Sequence, residues 1–576
     1  MPSPVRARAT LALALILILV GCAPAAVPGR GEAPTAPRLA AGTTLTMLTR
    51  YEPVALASKE LRTAGAGTSS SRRFFNAELD LVDGQASDRP YLAQALPELS
   101  SDTWRLFPDG RMETSYQLRP NLTWHDGTPL TAADFVFAWR VYASPDMGVS
   151  ASKPLVQMEE VLAPAPDTLL IRWRTPYPEA RALGTNFQAL PRHVLEQPFE
   201  ERDASTFLEL PYWNTQYVGL GPYRLTRWEL GSLIEATAFD GHVLGRPKID
   251  RVIMRFIADE NTALTTLLAG EADYATGRSL RFEHATVLKR QWDPAGTGKV
   301  LLTPDTSRFT AFQFRPEVVN PRFLANLPVR KALAHAVDKA ALNDGIFDGQ
   351  TIASIGDTFV HRYYRQDYVP NVERIVAELD RAITVYPFDL RRSEQLMAEA
   401  GLTRGRDGVW ANASGDRFSM EVWTDQGPQY ERELAIVAET WQRAGVEVRQ
   451  YVLPAAQLRD AQIRANFPAI YTTSSSRLES MFGRSIGTAT NRWIGTNRGG
   501  WTNPEYDRLY EAFGATLDPN DQLQQVVDMM KIVSAELPAW VLYQNPSVAA
   551  HYATLRGPNS ASLISDVWNV SEWELD

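Results

Sequence analysis

The stretch Leu118–Trp139, LRPNLTWHDGTPLTAADFVFAW, decides the fold of this chain. It begins as a strand and then meets Asp126-Gly127, a dipeptide that supplies the positive backbone angles of a tight turn. Thr131 and Asp134 follow at the spacing of a capping box, which predicts that a helix begins there. An apolar face directed at a core is predicted on this helix at Phe135, Val136 and Trp139.

The same stretch resembles the signature of the family 5 extracytoplasmic solute-binding proteins, which include the oligopeptide- and dipeptide-binding subunits of ABC importers. Members carry a strand ending in L-R, a turn with D-G-x-P-L-T-A, an acidic residue and an aromatic-rich helix. The matching residues, in order and without gaps, are Leu118, Arg119, Asp126, Gly127, Pro129, Leu130, Thr131, Ala132 and Asp134. Physically they form a turn and a cap, so they identify a family and do not mark a binding site.

Further motifs of that family recur along the chain. Residues 219–223, GLGPY, match its G-x-G-P-Y/F, and residues 270–273, GEAD, match its G-E-x-D. Pro328–Ala341 matches V-R-x-A-L-x-x-A-x-D/N and is predicted to be one helix. A second helix is predicted over Asp389–Ala400. The resemblance covers nearly all of Thr44–Asp576.

Length and composition set the class of the protein. A chain of 576 residues is too long for one hydrophobic core, so two or three domains are expected. A hydrophobic fraction of 44% and a charged fraction of 22% are ordinary for a globular protein. The formal charge of −9 argues against a nucleic-acid partner, which would require a basic face. The 15 Trp residues supply aromatic surface of the kind that lines ligand pockets.

The N-terminus is predicted to be a targeting segment. Two arginines precede Leu11–Val20, an unbroken apolar run that is short for a membrane span. The run ends at Cys22 in a sequence that resembles a bacterial lipobox, which implies cleavage after residue 21 and a diacylglyceryl group on the cysteine sulfur. Residues 1–21 are thus predicted to be a lipoprotein signal peptide and 22–43 a flexible linker, and a plain secretory signal is the alternative. The folded part is expected outside the cytoplasm, in the periplasm or at the outer face of the membrane.

The resemblance implies an α/β fold of the periplasmic-binding-protein type (class II), with mixed sheets, three subdomains forming two lobes, and a hinge. The predicted division has lobe I in 44–76, 211–305 and 525–576, an extra subdomain of lobe I in 77–210, and lobe II in 306–524.

A strand, a helix and a strand are predicted at Phe418–Trp423, Tyr430–Ala444 and Val446–Val452. This order predicts a parallel pair joined by a right-handed crossover. Ligands of open α/β sheets gather at the carboxyl ends of such strands, which places Asp425 at a cleft with Trp423 just behind it.

The next strand, Ala469–Tyr471, should end at the same rim and present a loop with the sequence TTSSSR. In peptide-binding members of the resembled family, an aspartate of this loop anchors the amino terminus of the ligand. Here Ser474, Ser475 and Arg477 occupy the loop. Either Asp425 substitutes for the missing acid, or the ligand is not a simple free-amine peptide. Arg477 would suit a carboxylate, phosphate or sulfate, or it is a surface arginine paired with Glu479.

The remaining predicted lining residues are equally compatible with packing in a core. They are Tyr51, Phe75, Asn76, Trp423, Tyr471 and Trp493. Phe312 and Phe314 lie on a strand that crosses between domains and are expected at the hinge or in the lining.

Signatures of common enzyme classes are missing from the sequence. It contains no G-x-S-x-G or H-E-x-x-H, and its seven histidines are scattered without metal-ligand spacing. No enzymatic activity, metal or cofactor is therefore predicted. The resemblance implies a monomeric binding protein that captures peptides by hinge closure and delivers them to an ABC permease with its ATPase subunits. The alternatives are a binder of an oligosaccharide or anionic small molecule and a ligand sensor for a membrane receptor.

Overall fold

The computed structural model describes residues 43–576 apart from 60, 62–68, 85–86, 148–152, 350–356, 361–371, 455, 459, 476, 492, 494 and 560–565. The predicted signal peptide and Cys22 lie outside the described residues. The strands are β1 (Thr44–Thr49), β2 (Asp80–Val82), β3 (Asp88–Pro90), β4 (Trp104–Leu106), β5 (Met112–Gln117), β6 (Met158–Ala165), β7 (Thr168–Trp173), β8 (Tyr223–Glu229), β9 (Leu233–Ala238), β10 (Arg251–Phe256), β11 (Tyr274–Leu280), β12 (Gly298–Phe312), β13 (Thr403–Arg404), β14 (Trp410–Ala411), β15 (Ser419–Asp425), β16 (Glu447–Leu453), β17 (Ile470–Ser475), β18 (Ala539–Tyr552), β19 (Leu555–Arg556) and β20 (Glu574–Leu575). The helices are α1 (Ser69–Phe75), α2 (Ala132–Ala143), α3 (Arg192–Glu201), α4 (Ala204–Leu208), α5 (Glu260–Leu268), α6 (Phe282–Trp292), α7 (Leu327–His335), α8 (Lys339–Phe347), α9 (Val372–Ala382), α10 (Leu390–Glu399), α11 (Pro428–Arg443), α12 (Ala461–Ala465), α13 (Pro504–Phe513) and α14 (Pro519–Glu536).

A mixed sheet of ten strands runs through the molecule in the order β16-β15-β17-β12-β18-β11-β1-β10-β9-β8. At one end β15 pairs in parallel with both β16 and β17, which confirms the predicted parallel pair and crossover helix. In the other half β1 pairs in parallel with β10 and β11, and β9 and β8 complete that end of the sheet in antiparallel pairing. A separate antiparallel sheet, β4-β5-β7-β6, carries the strand that precedes the decisive stretch.

The two halves of the large sheet are joined by β12 and β18, which pair antiparallel along almost their whole length. The half of β18 from Val548 onward also pairs with β11, whereas the half of β12 from Ser307 onward also pairs with β17. The register of this pair shifts twice, at Pro304/Thr306 between these regions and at Arg308/Phe309 within the part of β12 that pairs with β17. Such irregularities bend and twist a strand pair locally.

Hydrophobic cores lie on both sides of this junction. The largest is built from β1, α1, α2 and β5 to β10, and two others are built around α7, α10 and α11 and around α13, α14 and β17. The last of these also contains residues of α14 and Ala539 of β18. The domain division itself stays a prediction.

The decisive stretch forms the predicted cap and helix. The Asp134 carboxylate accepts a 2.9 Å hydrogen bond from the Thr131 N–H, and α2 begins at the next residue. The apolar face was predicted one position off, because Val136 and Trp139 are only partly buried at the edge of the core. The apolar side chains that are fully covered on this helix are Ala132, Phe135, Phe137, Ala138, Val141 and Tyr142.

The helix predicted over Pro328–Ala341 is wrong as one element, because the structure has α7 and α8 there. The physical reason is Asp338. Its carboxylate accepts hydrogen bonds of 3.0 Å from the N–H groups of Ala340 and Ala341, so it caps a new helix where the periodicity alone continued the old one.

His125 in the decisive stretch is held as a neutral ring. Its Nδ1 accepts a hydrogen bond of 3.2 Å from the Gly219 N–H, and its Nε2–H donates to the Gly221 carbonyl at 3.0 Å. Burial is the main cause that lowers the pKa of His125 to about 4. A proton on Nδ1 would displace the Gly219 N–H, so the folded state requires the neutral form.

This arrangement predicts a pH dependence of stability. Between pH 6.5 and pH 4 the unfolded chain binds a proton at His125 that the folded chain does not, so the free energy of unfolding falls by about 3 kcal/mol as the pH falls through this window. Asp80, whose pKa burial raises to about 7, acts with the opposite sign. We therefore compare wild type with His125→Asn, in which Asp80 is unchanged. The stability gap at pH 7, measured by urea unfolding, should narrow toward pH 4.5, and a gap that is constant with pH would contradict this assignment.

Candidate functional site

The carboxyl ends of β15, β16 and β17 form one rim, because the three strands run parallel and in register. Asp425 closes β15 at this rim, and Ser475 closes β17. The predicted loop TTSSSR is wrong in its first part, since residues 472–475 continue the strand and pair with 307–310 of β12. Antiparallel pairing with β12 thus extends the strand beyond the point where its apolar residues stop.

A buried ion pair lies on the α11 side of this rim. The Arg308 Nε donates to Glu433 Oε2 at 2.9 Å, and its Nη2 donates to Glu433 Oε1 at 2.6 Å. Both side chains have zero solvent exposure. The Tyr543 hydroxyl also donates to Glu433, at 2.6 Å, and Arg308 donates to the Ser474 hydroxyl at 3.1 Å. Burial opposes the charge on Arg308, but the Glu433 carboxylate outweighs it and raises the pKa of Arg308 well above its ordinary value.

Tyr430, in the first turn of α11, connects this ion pair with the other half of the molecule. The Arg308 guanidinium lies 4.1 Å from the centroid of its ring, and the Arg281 guanidinium lies 5.4 Å from the same centroid. Arg281 precedes α6 and donates to Glu260 of α5 at 2.9 Å. One aromatic ring is thereby in contact with cations from both sides of the β12–β18 junction.

The opposite face of the sheet carries a second polar group around Tyr471. Its hydroxyl donates a short hydrogen bond to Asp425 and accepts one of 3.3 Å from the Arg464 Nε. Arg498 lies over the Tyr471 ring at 5.6 Å and donates to the Thr473 hydroxyl at 2.5 Å. Burial, then the charge of Asp425, raises the pKa of Tyr471, while burial and the repulsion of Arg464 lower the pKa of Arg498 to about 10.

A cavity of about 50 Å³ opens beside Arg498. It is lined by both polar and apolar residues, and it is large enough for one small chemical group. Its lining residues are Phe309, Ala311, Ser474, Ser480, Met481, Thr496, Asn497, Arg498, Gly499, Trp501 and Pro538.

The structure brings five of the sequence-predicted site residues together at the rim. Trp423 stacks against Tyr451 with a centroid distance of 4.7 Å and donates from its indole N–H to Glu421. The other four are Asp425, Tyr471, Ser474 and Ser475, the last by its backbone.

Two of the predicted lining residues lie deep in the first core instead. Phe75 is fully buried, and Asn76 has zero exposure and a complete set of hydrogen bonds. The Asn76 amide donates to the Leu56 carbonyl at 2.7 Å, and its oxygen accepts from Gln188 at 2.6 Å. These contacts place Asn76 in the scaffold.

The other predicted residues are dispersed. Phe312 is buried in the second core, and Phe314 packs at 4.8 Å under the Arg330 guanidinium. Tyr51 is 37% exposed after β1, and the partly buried Trp493 has a backbone φ of +62°. Arg477 is exposed and lies 4.0 Å from Glu479, which favours its interpretation as a surface arginine.

Sequence reasoning missed the charged residues of the rim. One signal was present for Glu433, since it lies on the same side of α11 as Gln429, Val437 and Trp441, which are all buried. An acid within a buried stripe predicts a buried partner, because an unpaired charge there is costly. No local signal marked Arg464 and Arg498, which reach Tyr471 from segments outside the sheet.

Two kinds of feature are absent from the residues that the structure describes. No helix there is long and apolar enough to cross a membrane. No group of three or more histidine, cysteine, aspartate or glutamate side chains is arranged there to hold a metal ion.

Comparison with known proteins gives a family match and several distant relatives. Residues 94–481 match the model of the bacterial extracellular solute-binding proteins, family 5. The chain is 27% identical over 388 residues to Protein XP55 of Streptomyces lividans, covering 67% of this chain and 63% of that protein. It is 22% identical over 509 residues to the oligopeptide-binding protein AppA of Bacillus subtilis, covering 86% of this chain and 85% of AppA.

Two solved structures have the same fold. NikZ from Campylobacter jejuni, in complex with Ni(L-His), superimposes with a TM-score of 0.73 at 20% identity, covering 92% of this chain and 99% of NikZ. AppA from Bacillus subtilis, in complex with a nonapeptide, gives a TM-score of 0.71 at 19% identity and covers 93% of this chain and 99% of AppA. The fold class predicted from the sequence, a two-lobed α/β binding-protein fold with mixed sheets, is confirmed.

Proposed function

Because the chain belongs to the bacterial extracellular solute-binding proteins of family 5, we propose that it is the solute-binding subunit of an ABC importer. Its ligand is a peptide, captured between the two lobes and delivered intact to a membrane permease that works with an ATPase subunit. The choice of a peptide is supported by the similarity to oligopeptide-binding AppA along 85% of that protein. NikZ, which holds Ni(L-His), makes a small non-peptide solute the second candidate.

The observation that carries the proposal is the β12–β18 junction with its two register shifts. On either side of it lie separate hydrophobic cores, so each lobe can move as a body while the strand pair bends. A ligand that touches both lobes makes its full set of contacts only when they are closed, and its binding therefore shifts the population toward the closed form.

Contacts across the junction support this mechanism. Phe282 of α6 meets Phe347 of α8 with a centroid distance of 5.2 Å, next to the Arg281–Tyr430 contact. Farther away, the Lys153 ammonium lies 5.5 Å from the Tyr510 ring centroid of α13.

Mass spectrometry and scattering test the proposal together. Protein purified from its host and then denatured should release short peptides, identified by mass spectrometry. After removal of the ligand, addition of the same peptides should lower the radius of gyration measured by small-angle X-ray scattering. Release of no peptide, an unchanged radius of gyration, or cleavage of the peptides during incubation would contradict it.

The lipid anchor on Cys22 is part of the same proposal. The lipobox-like sequence supports it, and a tether would keep the binding protein near its permease. In cell fractionation, wild type should sediment with membranes, and Cys22→Ser should appear in the soluble extracytoplasmic fraction. Equal distribution of the two forms would rule out the anchor and leave the binding function untouched.

A further inference from the structure

The group around Tyr471 carries more positive than negative charge. Arg464 and Arg498 both reach this tyrosine, whereas Asp425 is the one carboxylate bound to it among the described residues. Within the part of the chain that the structure describes, neither guanidinium forms an ion pair within 4.0 Å with any carboxylate. The group therefore has an excess of one positive charge.

Such an excess is unusual for arginines that are partly removed from water. Arg498 keeps one side-chain hydrogen bond, to the Thr473 hydroxyl, and its remaining N–H groups have no carboxylate to which they can donate among the described residues. Taking a cation out of water costs free energy that a counter-ion normally offsets. Arg308, on the other face of the same sheet, has that counter-ion in Glu433, so the two arginines differ in this respect.

The excess positive charge lies at the edge of the sheet where a ligand would be captured. Thr473 and Asp425 lie at the carboxyl ends of β17 and β15, where α/β sheets bind their ligands. The cavity of about 50 Å³ beside Arg498 has room for one small group, and its lining includes the polar residues Ser480, Thr496 and Asn497. A guanidinium offers two parallel N–H donors that match the two oxygens of a carboxylate.

We infer that the Arg498 guanidinium, with Arg464 beside it, binds a carboxylate of the captured ligand. One carboxylate balances the excess charge of one, and the inference rests on the proposed peptide ligand. In a peptide this carboxylate is either the C-terminal group or the side chain of an aspartate or glutamate.

Three pools of random pentapeptides test the inference. The first has free carboxylates, the second has amidated C-termini, and the third is also methyl-esterified at aspartate and glutamate. Ligand-free full chain is incubated with each pool, and the retained peptides are quantified by mass spectrometry. Wild type should retain the third pool at about one tenth, or less, of the amount of whichever other pool it retains better. This ratio is the one expected for the loss of one charged hydrogen-bond pair. Retention of the second pool identifies a side-chain carboxylate, and retention of the first pool alone identifies the C-terminus.

Variants separate ligand binding from stability. Arg498→Gln should retain the three pools in amounts within about two-fold of one another. Its unfolding midpoint in the ligand-free state should be no lower than that of wild type, because the change removes a cation that lacks a counter-ion. Arg484→Gln, a side chain that is 79% exposed in an ion pair with Glu511, is the matched control and should behave as wild type. Equal retention of all pools by wild type, or a preference that survives in Arg498→Gln, would overturn the inference and leave peptide binding intact. Retention of none of the pools would instead overturn the proposed peptide ligand, and the inference with it.

Discussion

Replacement of Glu433 by glutamine is expected to lower the free energy of unfolding by about 3–5 kcal/mol, because it leaves the fully buried Arg308 without a counter-ion. The loss would come from an uncompensated charge inside the protein rather than from missing volume, since glutamine has almost the same shape. The measurement is the shift of the urea unfolding midpoint, followed by tryptophan fluorescence.

Glu439→Gln is the matched control for this variant. It makes the same chemical change on the same helix, at an exposed position, and should alter stability by no more than about 0.5 kcal/mol. A double variant, Arg308→Met with Glu433→Leu, removes both charges and should recover most of the loss, because two well-packed apolar side chains can replace a buried ion pair at little cost. If Glu433→Gln were as stable as Glu439→Gln, the ion pair would have no structural importance.

The ion pair also connects structure with the proposed movement. Arg308 lies on β12 at the second register shift, and Glu433 lies on α11, whose first turn carries Tyr430. Through this pair the strand that crosses the junction is fixed to the helix that faces the other lobe. In the proposed movement lobe II would therefore turn as one body, with the bend at the first register shift, around residues 304–306.

Local patterns in the sequence were sufficient for the elements that build the rim. The strand, helix and strand between Phe418 and Val452 were predicted within two residues of their observed bounds, because apolar periodicity and the crossover rule are local in origin. The position of Asp425 at the rim followed from the same reasoning, because this residue comes just after the predicted end of the first parallel strand. Asp389, the cap of α10, was found for the same reason.

Long-range contacts account for what the sequence did not reveal. Asn76 was predicted to line the site, but the partners of its side-chain oxygen are Gln188 and Tyr217, more than one hundred residues away in the chain. Residues 472–475 lack the apolar pattern of a strand and become one only because β12 lies beside them. Arg498 reaches Tyr471 from a loop, and no spacing rule relates those two positions.

The second large change in stability is expected from a substitution in the motif GLGPY. Gly221→Ala is expected to lower the free energy of unfolding by about 3 kcal/mol or more, because the added Cβ would lie 2.3 Å from the backbone nitrogen of Asn76. The backbone at the end of α1 cannot withdraw easily, since the Phe75 carbonyl accepts a hydrogen bond of 3.0 Å from the Gly221 N–H. His125 fixes the same residue from the other side through its Nε2–H.

The cause in this case is space rather than backbone conformation, and a second glycine separates the two. Gly127 has a φ of +89°, and no described atom lies within 4 Å of the position that an added Cβ would take, so Gly127→Ala should cost about 1 kcal/mol through strain alone. The two variants are compared by soluble yield and by the midpoint of urea unfolding. We expect Gly221→Ala to give little soluble protein or a midpoint well below that of Gly127→Ala. Similar midpoints for the two would mean that the end of α1 yields to the new methyl group, and that the close packing of this motif against α1 does not explain its glycines.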